Sequence, residues 1–133
     1  MKRLLAAAMV AGALVAPAMA LGESGLTAST LRSAAARLLT AELARDGATA
    51  CGILNAPLTA TVHGRTCAQR WDARIGHMLA RRGGRAALRA DLRAVPSAAV
   101  SISGEWGTIA LPHPLLDGQS RFYWTANCWM LNG

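Results

Sequence analysis

Apolar residues recur with a helical period along the first two thirds of the chain. The first stripe consists of Leu31, Ala35, Leu38, Leu39 and Leu43, which share one face of a helix. We predict that this helix begins at Thr30 and is ended or interrupted at Asp46-Gly47. The short apolar segment 49–54 can extend it as far as Asn55.

The same period predicts two further helices. Residues 66–69, TCAQ, have the composition of a capping box, in which Thr66 and Gln69 each bond the backbone of the other. The stripe of this second helix consists of Cys67, Trp71, Ile75, Met78 and Leu79, and Gly83-Gly84 closes it. The third helix is shorter, turns Leu88, Leu92 and Val95 inward, and stops before Pro96.

Beyond Pro96 the period of the apolar residues changes from that of a helix to that of a strand. The predicted strands are 99–103, 108–111, 120–126 and 128–132. The residues GEWG (104–107) form the first turn, Asp117-Gly118 belongs to a looser connection, and Asn127 joins the last two strands. Helices followed by an antiparallel meander predict an α+β fold, with the N-terminal helices packed on one face of a curved antiparallel sheet.

The N-terminus has the layout of a secretory signal peptide. Lys2 and Arg3 precede an uninterrupted apolar run, Pro17 follows it, and AMA ends at Ala20 with small residues where a signal peptidase cleaves. The run is shorter than the roughly 20 residues that span a bilayer, which disfavours an uncleaved anchor. The predicted organisation is a signal peptide at 1–20, a short flexible arm at 21–29 and a single domain at 30–133.

Composition constrains function weakly. Cleavage leaves 113 of the 133 residues, enough for one domain with one core. The mature part has 12 basic residues, all arginine, against 7 acidic ones. Arginine without lysine, together with abundant alanine, is typical of GC-rich coding, so the basic balance by itself does not indicate a polyanion partner.

Two of the three cysteines bracket a loop. In an exported chain paired cysteines favour a disulfide, and the possible pairs are 51–67, 51–128 and 67–128. Helix geometry favours Cys51–Cys67, because Cys51 lies near the end of the first helix and Cys67 opens the buried stripe of the second. The alternatives are free buried thiols or, since no metal-ligand spacing is present, far less plausibly a metal or redox site. Cys128 is then a buried small residue, or else an intermolecular disulfide or reactive thiol.

The order of these segments resembles that of small secreted actinobacterial proteins with the NTF2-like (SnoaL-like) cone fold. The matching segments are TACGILNAPL (49–58), TCAQRW (66–71), AAVSISGEWGTIAL (98–111) and NCWMLNG (127–133). The resemblance implies a strongly bent sheet wrapped around the helices, with a conical pocket open at one end. Proteins of this fold include isomerases, dehydratases, binding proteins and dimerising modules, so the fold alone does not set the function. Cys128 in the last hairpin departs from the usual pattern.

Candidate sites are few. A ligand cone could be lined by the aromatic residues Trp71, Trp106, Phe122, Trp124 and Trp129, although at this spacing such residues usually form a core. Acid–base candidates are Asp72, His77, Asp117 and Tyr123, with His63 and His113 in loops. Most of these are expected to be solvated or to cap an element. No catalytic triad or G-x-S-x-G motif is present in the sequence.

A row of arginines recurs every four residues and consists of Arg81, Arg85, Arg89 and Arg93. On helices it would present a basic face to an anionic polymer, to lipid headgroups or to an acidic partner, although a solvated face is the ordinary outcome. Export and the lack of a recognised motif disfavour nucleic acid.

The sequence therefore favours a secreted or cell-envelope, disulfide-stabilised, non-catalytic domain that binds a small apolar ligand or an envelope partner. We predict no cofactor, no metal and no membrane span after cleavage, and a dimer is possible. One alternative is an isomerase or dehydratase with an acid or base in the cone. The other is an interaction module that uses the basic face.

Overall fold

The computed structural model describes residues 25–54, 58–113 and 120–132, and the predicted signal peptide lies outside these ranges. Within them the chain forms four α-helices, one 3₁₀ turn and four β-strands. These are α1 (Ala28–Leu43), α2 (Gly47–Cys51), α3 (Cys67–Ala80), α4 (Gly84–Ala94), the 3₁₀ turn Val95–Ser97, β1 (Val100–Ser103), β2 (Trp106–Ile109), β3 (Arg121–Thr125) and β4 (Cys128–Leu131). The predicted α+β class is confirmed.

Helix α1 begins two residues earlier than its apolar stripe suggested, because a capping box sets its start. The Thr27 hydroxyl accepts a hydrogen bond from the Thr30 amide at 3.1 Å, and the Thr30 hydroxyl accepts one from the Thr27 amide at 3.2 Å. Together they satisfy amides that the first turn of a helix leaves without partners. The predicted stripe is buried, with Leu43 at its edge only partly covered.

The segment 49–54 does not extend α1. Arg45 adopts a positive φ of 52°, which breaks the helix, and a new short helix α2 begins at Gly47. Asp46 caps it by accepting the Thr49 amide at 3.0 Å. The Gly47 amide also donates to Asp72 of α3 at 2.7 Å, a close approach that a β-carbon at Gly47 would obstruct.

The predicted capping box of α3 is confirmed. The Gln69 amide donates to the Thr66 hydroxyl at 3.2 Å, and the Thr66 amide donates to the Gln69 side chain at 2.9 Å. The helix ends at Ala80, before Gly83-Gly84. Gly83 instead precedes α4 with a φ of 76°, a conformation that L side chains rarely adopt.

The strands form one antiparallel meander in the order β1-β2-β3-β4. Trp106, which the sequence analysis placed in the first turn, is paired with Ser103 and Tyr123 and begins β2. The turn is therefore shorter than predicted. At the last hairpin Ala126 and Asn127 both have positive φ, as a tight two-residue connection requires.

Helix α1 lies between the sheet and the other three helices. It packs on β1, β2 and β4 on one side and on α2, α3 and α4 on the other. The prediction that the helices as a group cover the sheet is thus too simple, because α1 provides the main helical contact with the strands. Gly107 allows the close approach, since a β-carbon there would lie 2.9 Å from Leu31 and 3.1 Å from Trp129.

The core joins the inner face of the sheet to α1. Phe122, Leu131 and Leu38 are fully buried. The indole of Trp129 donates to the hydroxyl of Thr30 at 2.9 Å, so the buried N–H has a partner. The same hydroxyl belongs to the capping box of α1, which ties the start of the helix to β4.

A disulfide joins Cys51 to Cys67, as predicted from the helix positions. Their Cα atoms are 6.2 Å apart, and the sequence separation is 16. It links the end of α2 to the first residue of α3. Cys128 is a free thiol on β4, and its Sγ lies 3.4 Å from the Thr125 carbonyl oxygen. None of the helices in the described ranges is both long enough and apolar enough to cross a membrane.

We expect the Cys51→Ala, Cys67→Ala double variant to lose about 3 kcal/mol in the free energy of unfolding, because the unfolded chain gains the freedom that the closed loop removes. The measurement is urea unfolding followed by tryptophan fluorescence. Cys128→Ala is the control and should change stability by less than about 1 kcal/mol. A bond from Cys128 to either of the other cysteines in a non-reducing peptide map would contradict the pairing.

Candidate functional site

A cavity of about 230 Å³ lies between α1, α3 and α4. It is lined by Glu42, Arg74, Met78, Arg81, Gly84, Ala87, Leu88, Asp91 and His113. Its walls are therefore helical, apart from Arg81 at the end of α3 and His113 after β2. No strand residue is among them. Its size suits a compact ligand, since it is below the usual range for drug-sized molecules.

Glu42 is the most unusual residue of this cavity. It lies in the last turn of α1 and is only 1% exposed. Neither of its carboxyl oxygens has a hydrogen-bond partner in the part of the chain that the structure describes. A buried polar group without a partner costs roughly 1–3 kcal/mol, and more when it is charged. Such a group at a cavity is ready to bond a molecule that enters.

Burial raises the pKa of the Glu42 carboxyl from 4.5 to about 7. The cause is desolvation, which penalises the ionised form. The Arg74 guanidinium opposes this rise by favouring the carboxylate, whereas the negative charge of Asp91 adds to it. Near neutral pH the residue therefore exists in both forms and can donate or accept a proton.

Asp91 is the second buried acid and lies on α4. It is 2% exposed, and its Oδ1 accepts a hydrogen bond from the His113 amide at 3.0 Å. The Nδ1 atom of the His113 ring lies 3.0 Å from the same oxygen, with the imidazole 53% exposed. Asp91 thus holds the segment after β2 at the edge of the cavity. It has hydrogen-bond partners, whereas Glu42 has none among the residues that the structure describes.

Basic and apolar groups complete the cavity wall. Arg74 of α3 is held with its guanidinium carbon 5.4 Å from the centre of the Trp71 ring, a cation–π arrangement. Arg81 is exposed and has extended backbone angles that end α3. Met78 and Leu88 add the apolar surface against which an aliphatic group could pack.

The arrangement suits the binding of a small polar molecule and proton transfer to or from it. Glu42 provides an acid or base at neutral pH, and the guanidinium groups provide positive charge beside it. Across residues 25–54, 58–113 and 120–132, no three His, Cys, Asp or Glu side chains cluster closely enough to hold a metal ion.

The structure distributes the predicted aromatic pocket residues over several places. Trp71, Phe122 and Trp129 are buried in the core. Trp124 contacts Trp129 edge to face, with ring centres 5.3 Å apart, beside a groove between α1 and the last hairpin. Trp106 lies on the outer face of the sheet. The structure does not gather them around one cavity, and their role in ligand binding stays a prediction.

Trp106 is 40% exposed and belongs to a small group of side chains on the outer face of the sheet. Its ring lies 4.9 Å from that of Tyr123, and the guanidinium carbon of Arg121 lies 4.4 Å from the Trp106 ring centre. The Tyr123 hydroxyl donates to Glu105 at 2.7 Å, and this bond raises the pKa of the tyrosine. The polar side chains of this group therefore contact one another: Arg121 lies against Trp106, and Tyr123 bonds Glu105.

The four arginines of the predicted basic face are all exposed, but they do not form one helical row. Arg85, Arg89 and Arg93 lie on α4, where the four-residue spacing keeps them on one side. Arg81 ends α3 and lines the cavity instead. Arg85 also donates to the Leu43 carbonyl at 3.4 Å.

The acid–base candidates drawn from the sequence lie away from the cavity. Asp72 is exposed and accepts the Gly47 amide, so it has a structural role between two helices. His77 and His63 are exposed, and Tyr123 is on the outer face of the sheet. Asp117 lies outside the described residues. Among the candidates that the structure describes, His113, which the sequence placed in a loop, is the one that borders the cavity.

Sequence reasoning missed Glu42 and Asp91, although both leave a trace in the apolar pattern. Glu42 lies eleven residues after Leu31, and Asp91 lies three after Leu88, so each occupies a position of its helix's apolar stripe. An acid at a stripe position must be buried or disrupt the helix packing. The two acids at stripe positions were therefore the feature of the sequence that could have indicated a site.

We expect the stability of the protein to depend on pH through Glu42. The folded chain holds the Glu42 proton more tightly than the unfolded chain, so its stability contribution is complete below about pH 4.5. This contribution to the free energy of unfolding decreases by about 3 kcal/mol in total as the pH rises to about 7, and it then levels off. Glu42→Gln, which cannot ionise, should lack this component in urea unfolding measured from pH 4.5 to pH 8.

The control is Glu105→Gln, which removes an exposed carboxylate from the outer face of the sheet. It should retain the pH dependence of the unmodified protein. Equal pH dependence in the Glu42→Gln variant and in the unmodified chain would contradict the raised pKa.

Comparison of the chain with protein-family models, with curated proteins and with solved structures found no match.

Proposed function

We propose that this protein is an exported domain that binds a compact small molecule in the cavity beside Glu42. One observation carries the proposal: a fully buried carboxyl group borders a cavity and has no hydrogen-bond partner in the described chain. A side chain that served only the core would be apolar at this position, because an unpaired acid reduces stability. Binding of a ligand would compensate for this cost.

Export and the NTF2-like fold are part of the same proposal. The disulfide supports export, since such bonds persist in oxidising compartments. Helices that precede an antiparallel meander support the NTF2-like layout. In this proposal the ligand binds in the cavity between α1, α3 and α4, and not in the conical pocket that the resemblance implies.

A second candidate function is acid–base catalysis on the molecule that enters the cavity. It is favoured by the pKa of Glu42, about 7, because a general acid or base works best when its pKa is close to the working pH. Strongly shifted carboxyl groups in clefts are frequent at catalytic sites, although structural ion pairs shift them as well. The Arg74 guanidinium could stabilise negative charge that forms on a substrate oxygen.

An interaction through the basic face stays a prediction. Arg85, Arg89 and Arg93 are exposed on α4, where they could meet an acidic envelope partner. Such binding would weaken with salt, because exposed charges are screened over about 8 Å at physiological ionic strength. Nothing in the geometry favours it over a solvated face.

Filling the cavity should abolish small-molecule binding. Ala87 of α4 is half-buried and lines the cavity, so Ala87→Phe would occupy the space that a ligand needs. Ligand-observed NMR with short-chain alcohols, amides, amines and carboxylates would identify fragments that bind the unmodified protein. We expect at least one of them to lose its signal with Ala87→Phe.

Ala86→Phe is the matched control, because Ala86 is the exposed neighbour on the same helix. It should leave binding unchanged, and circular dichroism would show that both variants are folded. If Ala87→Phe does not fold, Ala87→Leu replaces it. The absence of any fragment whose binding depends on the cavity would overturn the proposed function.

The catalytic candidate is tested by deuterium incorporation. In D₂O the Glu42 carboxylate would remove a proton from the carbon next to the carbonyl of butanone. The resulting carboxyl group would exchange this proton for a deuteron of the solvent and then deliver the deuteron to the enolate. We expect exchange above the buffer rate in the unmodified protein and in Ala86→Phe, and only the buffer rate in Glu42→Gln. Equal rates in all three proteins and in buffer would exclude this activity for simple ketones.

A further inference from the structure

We propose that the cavity binds a compact organic carboxylate, which Arg74 and Arg81 attract and which shares a proton with Glu42. The proposal rests on the proposed function and names the chemical class of the ligand. Three features of the cavity carry it: the charges at its wall, the unpaired carboxyl group inside it, and the apolar surface beside that group.

The charges around the cavity favour an anion. Arg74 and Arg81 both line it, and a guanidinium group is positive at every physiological pH. A cationic ligand would lie close to both, in a small space where repulsion is poorly screened.

Asp91 is the negative group that would repel an anion. Its Oδ1 accepts the His113 amide at 3.0 Å and lies at the same distance from the His113 ring nitrogen. These contacts reduce the negative potential that Asp91 presents to the cavity. Glu42 accepts no hydrogen bond from any residue in the described ranges, so it is the acid that a ligand would meet.

Glu42 can bind a carboxylate only in its protonated form. A protonated carboxyl group has one O–H donor, and a ligand carboxylate is a strong acceptor for it. Two carboxyl groups within hydrogen-bond distance of each other cannot both be ionised without strong repulsion, so the pair would hold one proton between them. The ligand therefore increases the affinity of Glu42 for its proton.

Every ionisable group that lines the cavity within the described residues enters this balance. Arg74 approaches from α3, Asp91 from α4, and Arg81 and His113 from the segments that follow α3 and β2. A guanidinium group is positive at every physiological pH, so it adds no step to the pH profile. His113 bonds Asp91 and not Glu42, and a His113→Gln variant separates its contribution to the profile.

The size and lining of the cavity limit the ligand. Met78 and Leu88 offer apolar contact, and about 230 Å³ holds a short chain or a single ring. A short aliphatic or aromatic monocarboxylate fits this description. A nucleotide or an oligosaccharide would not fit.

The test is isothermal titration of the unmodified protein with butanoate, butylammonium and butanamide, which are similar in size and differ in charge. We expect butanoate to bind most tightly. Its dissociation constant should be flat from about pH 6 to pH 7 and rise about tenfold per pH unit above that, because Glu42 must take up a proton. In the range where affinity falls with pH, the measured heat should vary with the ionisation enthalpy of the buffer, because binding there takes up a proton.

Four variants test the contributions of single residues. Glu42→Gln offers an amide donor at every pH, so butanoate binding should persist and lose its dependence on pH. Arg81→Gln should weaken butanoate about fivefold, whereas Arg82→Gln, the exposed neighbour that does not line the cavity, should not change it. His113→Gln should leave the pH profile in place.

Either of two binding patterns, or the absence of cavity-dependent binding, would overturn the carboxylate proposal. One is butylammonium or butanamide binding at least as tightly as butanoate in a manner that Ala87→Phe abolishes, which would leave the proposed function intact. The other is butanoate affinity that does not change between about pH 6 and pH 8.5 in the unmodified protein. If none of the three probes binds in a cavity-dependent manner, the carboxylate proposal fails, and the fragment test on the same variants decides the proposed function separately.

Discussion

The enclosure of helix α1 is the constraint on which the rest of the structure depends. The sheet covers one side of this helix and three helices cover the other, so its side chains lose water over most of its circumference. Removal from water is favourable for leucine and alanine side chains, whereas it is unfavourable for a carboxyl group. The raised pKa of Glu42 follows from its place in the last turn of this enclosed helix, and so does its lack of a hydrogen-bond partner within the described part of the chain.

The disulfide and the site are connected through α3. The cross-link holds the start of α3 against α2, and the Gly47–Asp72 hydrogen bond holds the next turn. Arg74 lies two turns beyond Cys67 on the same side of the helix, and it therefore approaches α1 near Glu42. The disulfide thus positions one wall of the cavity in addition to restricting the unfolded chain. Reduction of the disulfide would therefore affect the cavity as well as the stability of the fold.

The fold was largely accessible from the sequence, and the site was not. The apolar stripes predicted α1, α3 and α4, and the alternation after Pro96 predicted all four strands, because burial of one face imposes its period directly on the sequence. The interruption of the first helix at Asp46-Gly47 was predicted, whereas the shorter first turn and the positive φ of Arg45 depend on backbone conformations that no side-chain pattern records. The aromatic residues were the obvious pocket candidates, yet Trp71, Phe122 and Trp129 fill the core, as most residues at such spacing do.

The sequence by itself determined the fold class, the order of the elements and the most favourable cysteine pair, because each of these follows from local periodicity and from the positions of two cysteines on predicted helices. Only the tertiary structure decided that Glu42 of α1, Asp91 of α4 and Arg74 of α3 border one cavity. The physical reason is that a pKa and an unmet hydrogen bond depend on what lies across the interface. A helix viewed alone shows that Glu42 occupies an apolar stripe, but not whether water, an arginine or an empty space faces it.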